Sequence, residues 1–187
     1  MASVRKKSLI AVSAGALLAL VAAPGCNSDG CLDNHSAIPL AALYSSETGN
    51  KASYSFIRIA GVDAPRDSAM ATPGTAVSEV YLPMRSAKTS TAWCFSYKLP
   101  SIFEEGDPAY NDTLWIDYSS IPFFASEECG AMYNYRLRRI RHTDVLIDSV
   151  VVVPKDSTVT NVDATTFRIY FKTVDADDDN NVRPTLQ

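Results

Sequence analysis

The chain has 187 residues, a formal net charge of −4, four cysteines and two histidines. The acidic balance argues against a general nucleic-acid binder, which must neutralise phosphates with Lys and Arg. The two histidines, His35 and His142, lie far apart without paired-cysteine spacing, which argues against a zinc site; no metal or cofactor is expected.

From the N-terminus, Arg5-Lys6-Lys7 precedes an uncharged run from Ser8 to Ala23, and the segment ends Ala22-Ala23-Pro24-Gly25-Cys26. A basic start, an apolar run and small residues before a cysteine describe an export signal over residues 1–25, with Cys26 as the lipid-attachment residue. The apolar run is interrupted by Ser13 and Gly15 and falls short of the ~20 residues of a membrane-crossing helix. One acyl chain holds a protein reversibly, and two or more hold it stably, so an acylated Cys26 would make the outer membrane the first partner. Ala23 departs from the usual signal, where Leu or Val is commoner. Cleavage leaves about 160 residues, enough for one domain with its own core. Residues 26–36 read as a short tether, 37–173 as the folded domain and 174–187 as an acidic disordered tail.

Within 37–173 apolar residues recur at every second position and no helical period is sustained, which makes the chain all-β. The expected strands run from Ile38 to Tyr44, Ala52 to Ala60, Val77 to Leu82, Thr89 to Tyr97, Asp112 to Tyr118, Ala131 to Leu137, Leu146 to Val153 and Phe167 to Lys172, with a short ninth around Phe123. The stretches between them, such as residues 45–50, 62–67, 104–108 and 154–157, carry turn chemistry. Seven to nine short strands predict a single-domain antiparallel β-sandwich of immunoglobulin-like type. Its core would take Tyr54, Phe56, Trp93, Phe95, Tyr97, Leu114, Ile116, Tyr133, Tyr135, Leu137, Phe167, Ile169 and Phe171.

With Cys26 acylated, three cysteines remain for pairing. Cys31 and Cys129 each lie in a polar turn context and export favours oxidation, so they form the expected disulfide. Cys94 shares a strand face with Ala92 and Ser96 and reads as a small packed thiol. Among candidate ligand sites, Arg136 and Arg138 share one face of a strand opposite Tyr135 and Leu137, and their guanidiniums could grip phosphate or carboxylate. Arg139 and Arg141 complete the basic cluster. Trp93 and Trp115 could stack a sugar, although alternation places most aromatics in the core. The tail from Asp175 to Asn181 starts like a calcium loop, yet it lacks the sixth-position glycine and has Leu186 where a bidentate Glu belongs. Catalytic constellations are weak. His142-Thr143-Asp144 has triad residue types on an extended chain that points them to different faces, and Glu104, Glu105 and Asp107 stand in a turn. No enzyme activity is expected.

In order along the chain stand Cys31-Leu32-Asp33-Asn34, Pro39-Leu40-Ala41, Leu82-Pro83, Asp112-Thr113-Leu114-Trp115-Ile116, Ser126-Glu127-Glu128-Cys129-Gly130, Ile147-Asp148-Ser149-Val150 and Ile169-Tyr170-Phe171. Across nearly the whole mature segment this series resembles an uncharacterised family of Bacteroidota-type lipoproteins. The resemblance implies an outer-membrane lipoprotein and supplies no catalytic residues. The expected role is an accessory or binding module for an outer-membrane protein, such as a β-barrel partner, on either face of that membrane. A glycan-binding module of a nutrient-uptake system and a subunit of a surface filament are the alternatives.

Overall fold

Alternation decides the strands. In Ser90–Tyr97 the side chains of Trp93, Phe95 and Tyr97 are buried while Ala92, Cys94 and Ser96 are half-exposed, so one face turns inward and the other outward. The computed structural model describes residues 36–64, 68–98, 110–127, 129–160 and 163–173. Its strands are β1 (Leu40–Ser45), β2 (Ile57–Gly61), β3 (Ala69–Ala71), β4 (Glu79–Tyr81), β5 (Ser90–Tyr97), β6 (Asp112–Ser126), β7 (Gly130–His142), β8 (Ile147–Val152), β9 (Thr158–Val159) and β10 (Thr165–Phe171). They form a four-stranded sheet in the order β4-β1-β10-β8 and a six-stranded sheet in the order β3-β2-β5-β6-β7-β9. The two sheets make a β-sandwich. The expected signal peptide 1–25, the expected tail 174–187, Cys26, Cys31, Glu104, Glu105, Asp107 and all of the expected tether but Ser36 lie outside the described residues.

The interior is closed by aromatic and branched side chains from both sheets. Phe95 of β5 meets Phe171 of β10 with ring centroids 6.2 Å apart, and Leu43, Ile57, Ile59, Leu114, Ile116, Phe167 and Ile169 are fully buried. Most of the expected core is found there. The exceptions are Tyr133, which is half-buried on β7, and the approach to β2. Tyr54 and Phe56 are only half-buried, stacked edge to face at 5.5 Å, while Ile57 and Ile59 point inward. Regular pairing with β5 begins only at Ile57, so the alternation expected from Ala52 onward does not extend back to Tyr54.

Three other features differ from expectation. First, β1 pairs with β10 in parallel, within an otherwise antiparallel set. These are the first and last strands, so no tight hairpin has to join them and either direction is open. Second, the strand expected around Phe123 is the far half of β6, which with β7 forms one long hairpin closed near Gly130. Gly130 has φ +66°, a left-handed conformation that glycine adopts without the Cβ penalty. Third, β3 and β9 are short edge strands that no alternation announces.

The start of the domain is laid against this hairpin. Ala37 N–H donates to the Tyr133 carbonyl at 2.8 Å, and Ser36 Oγ lies 3.3 Å from Met132 Sδ. The chain entering from the tether therefore joins the fold on β7.

Candidate functional site

On β6 the side chains of Leu114, Ile116 and Tyr118 face the core, so Trp115, Asp117 and Ser119 face outward. On β7 Tyr135 and Leu137 are buried and Arg136 and Arg138 are exposed, as alternation requires. Strict alternation would then turn Arg139 and Arg141 inward. It is interrupted: Tyr118 pairs with Leu137 and Asp117 with Arg139, leaving Arg138 as the extra residue of a β-bulge. The bulge resets the phase, so Arg136, Arg138, Arg139 and Arg141 are all exposed and Ile140 is half-buried.

Beside this row stands one carboxylate. Asp117 accepts from Ser90 Oγ at 2.7 Å and lies 3.6 Å from Arg141 Nη2. Arg141 also sits over the Trp115 ring at 5.5 Å from its centroid, a cation–π arrangement. Arg138 donates Nε and Nη2 to Ser119 Oγ at 3.3 and 3.2 Å. Arg136 and Arg139 make no hydrogen bond or ion pair with the other described residues. The arrangement can hold anions by paired guanidinium donors; residue pattern alone pointed to Arg136 and Arg138, and the bulge adds Arg139 and Arg141.

The other sequence candidates take different places. Trp93 is buried with its indole N–H lacking an acceptor among the described residues, whereas Trp115 is half-buried on the outer face. They are not neighbours on one surface. His142 Nδ1 lies 2.7 Å from the Thr143 carbonyl, and the Thr143 hydroxyl donates to Asp112 at 2.7 Å, while Asp144 is exposed. The triad residues therefore do not converge. Cys94 is a free thiol whose pKa is raised by burial. Among the described residues no group of His, Cys, Asp and Glu is placed to hold a metal ion.

Residue pattern missed a polar hub in the interior. Asp112 is 0% exposed and accepts from the Tyr97 hydroxyl (2.6 Å), the Thr143 hydroxyl (2.7 Å) and the backbone N–H groups of Val145 (2.9 Å), Leu146 (2.7 Å) and Ile147 (2.8 Å). It clamps the corner where the chain leaves β7 in one sheet for β8 in the other. A fully satisfied carboxylate of this kind is structural. Burial, together with the Asp112 charge, pushes the Tyr97 phenol well above its ordinary value of 10.0.

That shift makes a prediction. Above about pH 10 the unfolded chain gives up the Tyr97 proton while the folded chain keeps it, so the phenol's stabilisation is complete below pH 10 and declines as pH rises toward the folded value. Tyr97→Phe should be less stable at neutral pH by about 1 kcal/mol, the worth of one hydrogen bond, with a flatter decline above pH 10. Urea unfolding of both proteins from pH 7 to strongly alkaline solution checks this; parallel curves would count against it.

The molecule is thus a β-sandwich with an arginine-bearing sheet face. It belongs to DUF6452, a family of unknown function, whose profile matches residues 56–171. The matched span covers β2 through β10, including both the Asp112 hub and the arginine row. No curated protein and no solved structure matches the chain significantly.

Proposed function

We propose that this protein is a lipid-anchored envelope module of a Gram-negative outer membrane, attached through Cys26 and acting without catalysis as an accessory or binding partner of an outer-membrane protein. The observation that carries this reading is the path of the chain: the segment leading back to Cys26 is hydrogen-bonded to β7 at Ala37 and packed at Ser36, so the domain begins directly at its tether. The disulfide supports the same arrangement. Cys129, beside the tip of the β6–β7 hairpin, is disulfide-bonded, and Cys94 is free. With four cysteines in the chain, an internal partner is Cys26 or Cys31, and if Cys26 is acylated as proposed only Cys31 is left for it.

The glycan alternative draws less support, because Trp93 is in the core and Trp115 lies under Arg141. The filament alternative draws less as well, since β1 and β10 are the inner pair of their sheet and neither is an edge strand to exchange. The test is intact mass of the protein extracted from membranes, with crosslinking before extraction. Acyl mass on Cys26 and a crosslinked envelope protein are expected; a mature chain without acyl mass overturns the anchored reading.

A further inference from the structure

The outer face of the six-stranded sheet carries positive charge for which the fold has little internal use. Four arginines of β7 project from it and one carboxylate, Asp117, answers them. Side chains on one strand face recur about every 7 Å, so the row presents closely spaced positive charge to an anionic partner. Two more cations stand at the margin of this face: the exposed Arg85 and Lys88 lie on a loop that Tyr118, Ser120 and Tyr135 hold from the inner side of the hairpin. A recess of about 250 Å³, lined by Arg85, Lys88, Ser90 and Asp63 among others, opens there, and Ser90 links it through Asp117 to Arg141. In a chain of net charge −4 this is a local reversal of sign.

We propose that this face is the surface by which the domain lies on a bilayer of anionic phospholipids, with Arg136 and Arg139 free to take headgroup phosphates. The proposal rests on the anchored reading for its choice of occupant. Two observations support that choice. The tether enters on β7 at Tyr133, the strand that carries the arginines, so an anchor holds this strand near the membrane. The exposed groups also suit a headgroup layer, since guanidiniums pair with phosphate oxygens.

The test uses the exported chain, residues 26–187 with Cys26→Ser, which contains the whole compact unit Asn34–Gln187 and bears no lipid. It is sedimented with vesicles of equal parts phosphatidylglycerol and phosphatidylcholine, and with phosphatidylcholine alone. Binding to the anionic vesicles only is expected. Arg136→Ala with Arg139→Ala should weaken it on the order of thirtyfold, from the contribution of each basic residue near a charged surface. Neither side chain supports the fold, so the thermal midpoint should not move. Arg168→Ala with Lys51→Ala removes the same charge at the four-stranded sheet and should leave binding unchanged. Equal loss in that control, equal binding to both vesicles, or no loss in the arginine pair overturns the proposal. Release by millimolar inorganic phosphate but not by chloride of equal ionic strength would also overturn it, in favour of a soluble phosphate ligand. Because every arm uses the same unlipidated chain, failure of acylation and failure of the face are read separately.

Discussion

Replacing Asp112 with Ala is expected to destabilise the protein by about 3–5 kcal/mol, close to what removing one partner of a buried ionic cluster costs. The carboxylate is fully buried and receives three consecutive backbone N–H groups, from Val145 to Ile147, and two hydroxyls. The hydroxyls of Tyr97 and Thr143 can turn to other acceptors, whereas the amides are fixed by the corner they form and each orphan costs about 1–3 kcal/mol unless water reaches it. Asp112→Asn is the sharper variant. It keeps size and shape but turns a donor toward donors, and should lose about 2–3 kcal/mol. Urea unfolding at neutral pH measures both; a loss below about 1 kcal/mol for the alanine variant would show that the corner holds without its carboxylate.

The hub also marks where reading residues in order stops being informative. Trp93, Phe95 and Tyr97, or Phe167, Ile169 and Phe171, announce their strands because burial on one face is a local, period-two property. Asp112 looked like the polar first residue of a strand. Its partners come from β5 and from the corner before β8, and only the packed sandwich brings them together. The arginine row is half legible for a related reason. Arg136 and Arg138 share a face by simple alternation, but Arg139 and Arg141 join them only through the bulge at Arg138, a register event fixed by pairing with Asp117 and Tyr118. Tyr54 and Phe56 mislead in the opposite sense, since their alternation is real but ends before the ladder of β2 begins at Ile57.

The second large effect concerns the cross-link. Cys129→Ser and Cys31→Ser should each cost about 4–5 kcal/mol, because the bridge closes a loop of roughly a hundred residues in the unfolded chain. Cys94→Ser removes a free, half-buried thiol and should cost less than about 1 kcal/mol. Urea midpoints with and without reductant separate these effects, since reductant should lower the parent to the level of the two bridge variants and leave those unchanged. The decisive variant is Cys26→Ser. If Cys31 is the partner, it unfolds like the parent. If it unfolds like Cys129→Ser, Cys26 holds the bridge, its sulfur is not available to lipid, and the anchored reading falls. With Cys31 as partner, the five residues back to Cys26 would span at most about 17 Å, so an acyl chain on Cys26 would start within that distance of the hairpin tip. Under the anchored reading, a tether that short would bring the β6–β7 hairpin, and with it the arginine row, within reach of the bilayer.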